Sequence, residues 1–178
     1  MSRNLSGTEL KRLHRTWRRS TTGRLALLLD GVQTPYNVGS ILRTAAAEGV
    51  DHLWLVAPTA DPNHPKTNKT ALGSQRFVTW TSVDEPDDAL VQVAAAGYRL
   101  VGVELADDAR PLFEVDLTGD VCLAVGHEDR GLSATVLGGC DAIGFVPQVG
   151  KIGSLNVAQA TSIACYEVRR QRWSLPAQ

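Results

Sequence analysis

Short apolar runs alternate along the chain with segments whose apolar residues recur at helical spacing. The runs predict strands at 25–30, 52–57, 77–80, 98–105, 121–125 and 142–146. The first run, LALLLD, is apolar up to its closing acid, which is typical of a strand covered on both faces. Helices are predicted between the strands, at 8–19, 38–48, 85–96, 133–138 and 154–173. This alternation predicts an α/β fold with a mostly parallel sheet and helices on both faces.

Polar residues and glycines mark the ends of the predicted helices. Three residues precede helical segments and are predicted as N-caps, because their side-chain oxygens can accept a hydrogen bond from a free backbone N–H: Thr8, Asn37 and Asp84. Gly49 and Gly97 follow two of the helices and are predicted to end them. Residues 58–65 and 66–75 are predicted as loops.

Charge is distributed unevenly along the chain. Residues 1–24 carry seven basic side chains against Glu9 alone, although the whole chain has a formal net charge of −1. A basic leader suggests a phosphate-rich partner, and a helix kept soluble by its charges is the open alternative. Leu10, Leu13 and Trp17 recur at helical spacing and are predicted to dock the leader on the body. That docking would leave five cations facing outward: Lys11, Arg12, Arg15, Arg18 and Arg19.

Length and composition narrow the possible classes of protein. The 178 residues suit one domain. No apolar run approaches the roughly 18 residues of a membrane span, and no signal peptide is recognised, which predicts a cytoplasmic protein without a membrane partner. The cysteines are odd in number and form no CxxC pair, which predicts buried free thiols: Cys122, Cys140 and Cys165. His127 has no metal-ligand spacing to another histidine or cysteine, so no metal site is predicted.

Three segments at the ends of predicted strands hold more polar residues and glycines than packing requires: 37–45, 126–132 and 146–156. Ligands of parallel sheets bind beyond the carboxyl ends of the strands, so the three segments are predicted to meet at one edge. Arg43 offers a planar fork for a phosphate or an oxyanion. Taken singly, the segments have simpler interpretations as a capped helix with a surface arginine, a tight turn and a helix cap.

Together the segments resemble the signature motifs of the SPOUT superfamily of RNA methyltransferases, in its TrmH (SpoU) branch. The resemblance spans roughly residues 25–170. The motif residues are Asn37, Gly39 and Arg43, then Gly126, Glu128 and Gly131, then Pro147, Ser154, Leu155 and Asn156, followed by Tyr166 and Glu167. Two features depart from the family pattern: Gln148 stands where many members carry methionine, and the 66–75 segment is a variant loop.

The resemblance implies a C-terminal trefoil knot, a bound S-adenosylmethionine, and a homodimer with the active site at its interface. It implies a 25–178 methyltransferase domain behind a 1–24 basic helical extension. It implies methylation of a ribose 2′-hydroxyl in structured RNA, of the guanosine-2′-O type. A short leader is more similar to the tRNA-modifying relatives, so tRNA is favoured and rRNA is the alternative. The implied cofactor residues are Val103, Glu104, Leu105, Gly126, Val146 and Leu155.

The implied catalytic residues are Arg43, Asn37, Glu128, Ser154 and Asn156, with the leader cations as RNA ligands. Because a guanidinium stays protonated in proteins, Arg43 is interpreted as stabilising a developing alkoxide while an RNA phosphate takes the proton. Asn37 and Glu128 would position Arg43, and Ser154 and Asn156 would shape the pocket. Two other classes stay open: a non-catalytic RNA-binding relative, and a dinucleotide-binding enzyme, which the missing GxGxxG after the first strand disfavours.

Overall fold

A computed structural model describes residues 2–173 of the chain. Seven strands lie within these residues: β1 Leu25–Asp30, β2 His52–Val56, β3 Thr79–Val83, β4 Arg99–Val103, β5 Arg110–Pro111, β6 Val121–Gly126 and β7 Ala142–Phe145. They form one sheet in the order β3-β2-β1-β6-β4-β7-β5, and each pair of neighbours is parallel. The helices are α1 Gly7–Ser20, α2 Pro35–Glu48, α3 Pro65–Ala71, α4 Pro86–Ala95, α5 Ala134–Gly138 and α6 Val157–Trp173.

The sheet is covered on both faces, as the apolar run in β1 predicts. All six residues of β1 are buried, between β2 on one side and β6 on the other. Successive side chains of a strand point to opposite faces. Accordingly, Leu25, Leu27 and Leu29 enter the core formed with α2 and α6, whereas Ala26 and Leu28 enter the core formed with α4 and α5. The predicted fold class is therefore confirmed, while the trefoil knot stays a prediction because strand order does not establish it.

The N-caps predicted from sequence are wrong by one to three residues: Thr8, Asn37 and Asp84. Ser6 caps α1 instead, in a capping box that its side chain and backbone form with Glu9. In α2 and α4 the prolines decide the start, because Pro35 and Pro86 fit the first helical turn, where no partner for a backbone N–H is needed. This shift has a consequence for the site, since it places Asn37 inside α2, where its side chain is free to bond elsewhere.

The segment after β2 is more ordered than the sequence predicts. The sequence predicts a loop at residues 66–75, but α3 covers Pro65–Ala71 and a 3₁₀ helix covers Ser74–Phe77. The next strand therefore begins at Thr79, two residues later than expected. The short strand β5 lies in a stretch that the apolar pattern left without structure, because two paired residues carry no periodicity.

The leader helix lies on the surface without burying a residue. Leu10 and Leu13 are each 43% exposed, so their predicted docking on the body is wrong, and Trp17, which is 48% exposed, docks only in part. The observed contact is between aromatic rings, with the centroids of Trp17 and Trp173 4.8 Å apart. The five leader cations are exposed, as predicted. Residues 174–178 of the predicted 25–178 domain lie outside the described residues.

The three cysteines agree in part with the prediction that they are buried free thiols. Cys122 and Cys165 are buried, Cys140 is half-buried, and all three are free thiols. Burial raises the pKa of the Cys165 thiol to about 12, which leaves it protonated and unreactive at neutral pH. Across residues 2–173, no helix has the length and apolar character needed to cross a membrane.

Candidate active site

Two adjoining cavities open at the sheet edge where β4, β6 and β7 end. The larger, of about 320 Å³, lies between the loop after β6 and the start of α6, and the smaller, of about 90 Å³, lies beside the end of β7. Both are lined by Ser154 and Leu155. Each residue predicted to bind the cofactor lines at least one of them: Val103, Glu104, Leu105, Gly126, Val146 and Leu155. The second and third predicted segments therefore meet beside the ends of these strands.

Glycines shape the loop that forms one wall of the larger cavity. His127 and Gly131 exchange two backbone hydrogen bonds, of 3.0 and 2.9 Å, which fold the loop back on the end of β6. A Cβ on Gly126 would overlap the Gly131 backbone, and Gly131 itself has a φ of +68°. The Glu104 carboxylate then accepts hydrogen bonds of 2.9 Å from the Leu132 and Leu105 N–H groups. The geometry of this loop therefore requires glycine at both motif positions, Gly126 and Gly131.

A chain of hydrogen bonds joins the three motif segments. The Asn37 amide Nδ2 donates to Glu128 Oε1 at 2.9 Å, and Asn37 Oδ1 accepts from Asn156 Nδ2 at 2.9 Å. Asn156 Oδ1 in turn accepts from the Ala158 N–H at 2.9 Å and so caps α6. The helix cap needs the amide oxygen of Asn156 as acceptor, and the Glu128 carboxylate needs the amide nitrogen of Asn37 as donor. These two contacts fix which way both amide groups face.

Glu128 also holds the start of α2. Its Oε1 accepts from the Thr34 N–H at 3.0 Å and its Oε2 accepts from the Gln33 N–H at 3.3 Å. Partial burial of the carboxyl works to raise its pKa, but the hydrogen bonds from Asn37 and Thr34 outweigh that effect and bring the pKa of Glu128 to about 2. Glu128 is therefore a fixed carboxylate at neutral pH, and it acts as an acceptor that fastens α2 to the β6 loop.

Asn156 caps the last helix, as the simpler interpretation of this segment predicts, whereas Ser154 lies in the loop before it. The last helix begins at Val157 and not at residue 154, because Asn156 is the residue that caps it. Ser154 is exposed in the preceding loop and lines both cavities. Gln148, the departure from the family pattern, lines the smaller cavity. Four predicted catalytic residues therefore meet at this edge: Asn37, Glu128, Ser154 and Asn156.

Arg43, the fifth predicted catalytic residue, does not meet these four residues at the sheet edge. It follows Asn37 by six residues of α2, which places it about 9 Å further along the helix axis and on a different helix face. It lines a separate cavity of about 530 Å³ together with Ser40, Lys69 and Thr70. Among the described residues, none lines both this cavity and the larger cofactor-side cavity. The sequence does not indicate Lys69, because its segment is predicted to be a loop.

Comparison with known proteins identifies the family of the chain. The model of the SpoU rRNA Methylase family matches residues 24–166. An uncharacterized tRNA/rRNA methyltransferase of Synechocystis is 36% identical over 151 residues, which cover 85% of this chain and 55% of that protein. The 23S rRNA (guanosine-2′-O-)-methyltransferase RlmB of Acinetobacter baylyi is 34% identical over 149 residues, which cover 83% and 60%. This chain thus spans between 55% and 60% of the length of these two relatives.

Solved structures agree with these relatives. An AdoMet-bound rRNA methyltransferase from Sinorhizobium meliloti matches with a TM-score of 0.79 at 33% identity, over 84% of this chain and 57% of that one. The TrmH/SpoU tRNA modifying enzyme of A. aeolicus matches with a TM-score of 0.75 at 29% identity, over 95% and 89%. A family match of this extent, together with the joined motifs at the sheet edge, shows that the chain belongs to the SpoU rRNA methylase family.

Proposed function

We propose that this chain transfers a methyl group from S-adenosylmethionine to a ribose 2′-hydroxyl of RNA. The observation that carries the proposal is the hydrogen-bonded chain from Glu128 through Asn37 to Asn156, beside a cavity lined by the residues predicted to bind the cofactor. The relatives support it, since one is named a guanosine-2′-O-methyltransferase and one structure is named as AdoMet-bound.

The cavities beside β4, β6 and β7 have the chemistry that such a cofactor needs. Their walls combine apolar side chains, such as Val103 and Leu155, with the polar backbone of the strand ends and the β6 loop. Ligand sites of this kind are mostly apolar, with a few placed polar groups. When bound, S-adenosylmethionine supplies a sulfonium-activated methyl group. Gly126, Val146 and Leu155 would then hold it, chiefly through their backbone.

The hydroxyl that receives the methyl group must also be activated, because a ribose 2′-hydroxyl is a very weak acid. Arg43 would donate hydrogen bonds to the 2′-oxygen as negative charge develops there, and a neighbouring RNA phosphate would accept the proton. Asn37 and Glu128 would act as positioning residues, since they fix the start of the helix that carries Arg43. Ser154 would line the pocket, and Asn156 would hold α6 in place. Alignment of the 2′-oxygen with the methyl group would supply much of the acceleration.

The separation of Arg43 from the cofactor-side cavities supports a homodimer. We propose that Arg43 of one protomer reaches the cofactor cavity of its partner. The outer face of α6 offers apolar side chains for such an interface, since Ile163 is 44% and Tyr166 is 54% exposed. Sedimentation should therefore detect a dimer, and an active species of 19.1 kDa would contradict this proposal.

Mixed dimers test which protomer supplies Arg43. Arg43→Ala removes the guanidinium, and Ser154→Trp fills the cofactor cavity, so each variant alone should be inactive. If Arg43 acts across the interface, a mixture of the two should regain about one quarter of the wild-type activity, because half of the dimers are mixed and each has one complete site. No recovery in exchanged, mixed dimers would show that Arg43 serves its own protomer.

Which class of RNA is methylated is a separate question. Curated relatives are named for 23S rRNA, so they do not support the preference for tRNA that the short leader suggested, whereas the A. aeolicus structure is named for tRNA. We propose structured RNA as the substrate, with 23S rRNA as the first class to examine. Mass mapping of 2′-O-methyl groups in both RNA classes from a deletion strain would identify the missing modification.

Titration separates the proposal from the two other classes of protein. Calorimetry should detect binding of S-adenosylmethionine and no binding of NAD. Binding of NAD alone would indicate a dinucleotide-dependent enzyme. Binding of RNA without methyl transfer to any RNA fraction would indicate a non-catalytic relative.

A further inference from the structure

The helix α3 is fixed tightly against α2. Gly39 is buried at the crossing, where a Cβ would overlap the Thr70 side chain and the Thr67 carbonyl. The Thr70 hydroxyl donates to the Tyr36 carbonyl at 2.9 Å. At the other end, His64 Nδ1 accepts from the Lys66 N–H at 3.1 Å and caps α3. The position of α3 relative to α2 is therefore fixed by close contact.

This packing places two cations on one groove. Arg43 from α2 and Lys69 from α3 both line the cavity of about 530 Å³, and both are exposed. The lining contains no acidic residue, and within residues 2–173 neither cation forms an ion pair. The hydroxyls of Ser40 and Thr70 donate to backbone carbonyls of the helices, and the Thr44 hydroxyl donates to that of Ser162, which itself donates to the Ala158 carbonyl. The cations are therefore the groove's available hydrogen-bond donors to a ligand.

Two like charges held beside one groove repel each other, and an anion placed between them relieves that repulsion. We propose that Arg43 and Lys69 form a binding subsite for an RNA phosphate next to the target ribose. Arg43 supplies the planar fork that suits phosphate oxygens, and Lys69 supplies a point charge on a flexible stem. This proposal deepens the proposed function and rests on it. Lys69 is a positioning residue, because it holds the phosphate against Arg43 and does not touch the reacting oxygen.

Three substitutions test the subsite. Lys69→Ala removes the charge, Lys69→Arg keeps it, and Lys66→Ala is the matched control, because Lys66 is an exposed lysine on the same helix that does not line the groove. Filter binding of RNA at several salt concentrations measures the number of phosphate contacts. Loss of one contact should make the slope of log affinity against log salt shallower by about 0.7–0.9.

We expect Lys69→Ala to show this shallower salt dependence and a roughly five- to tenfold weaker RNA affinity. Its KM for RNA should be higher, and its binding of S-adenosylmethionine should be unchanged. Lys69→Arg should restore the slope, and Lys66→Ala should keep it. A full slope in Lys69→Ala, or an equal loss in Lys66→Ala, would overturn the subsite. A wild-type protein that binds RNA but transfers no methyl group would instead refute the proposed function, and the slopes would still decide the subsite.

Discussion

Replacing Glu128 by glutamine tests the contact that joins the motifs. The substitution keeps the size of the side chain but removes its charge and presents an NH₂ group to donors. The wild-type carboxylate accepts from the Asn37 amide and from the backbone N–H groups of Thr34 and Gln33. The variant therefore cannot accept all three hydrogen bonds, and the start of α2 should loosen from the β6 loop.

The pKa of Glu128 gives the expected loss of folding free energy. Its fall from 4.5 to about 2 on folding corresponds to about 3 kcal/mol, at 1.36 kcal/mol per unit. Because the folded-state pKa lies below the unfolded one, this stabilisation is fully present above about pH 4.5 and is lost as the pH falls through 2. At pH 3 about 2 kcal/mol of it should already be gone.

Urea unfolding of both proteins between pH 3 and pH 7 measures this effect. We expect Glu128→Gln to be less stable by about 3 kcal/mol at pH 7, and we expect the difference to narrow by about 2 kcal/mol at pH 3. Asp129→Asn is the matched control, because Asp129 is an exposed neighbour outside the hydrogen-bonded chain. A stability difference that stays constant with pH would refute the assignment of the low pKa to these hydrogen bonds.

Two further predictions concern the packing of α3 on α2 and the leader helix α1. Gly39→Ala should destabilise the protein by about 1–3 kcal/mol in urea unfolding, because its Cβ would push α3 off α2. Gly138→Ala, where a Cβ meets nothing within 4 Å, should leave stability nearly unchanged, and equal effects would contradict the packing argument. Deleting residues 1–20 should preserve the fold and cofactor binding, because α1 buries no residue, but should weaken RNA binding and flatten its salt dependence. An unchanged salt slope would favour a solubilising leader, and loss of the dimer would favour a structural one.

The strands could be predicted because burial on both faces requires continuous apolar sequence, as in β1 and β6. The meeting of the motifs also followed from the sequence, because parallel strands end at one edge. The role of Asn37 as a bridge between Glu128 and Asn156 did not follow, since its spacing suits a helix cap equally well. The placement of Lys69 beside Arg43 depends on the close approach at Gly39, which no local pattern of α3 records.

The most direct test of the central claim is methyl transfer by the wild type and by Arg43→Ala. Calorimetry measures the affinity for S-adenosylmethionine, and transfer of a tritiated methyl group to RNA measures turnover. Arg43 lines a cavity separate from the cofactor-side cavities. We therefore expect wild-type turnover at a ribose 2′-hydroxyl, and an alanine variant that binds S-adenosylmethionine with nearly unchanged affinity but transfers no methyl group. Normal turnover by Arg43→Ala would contradict the account.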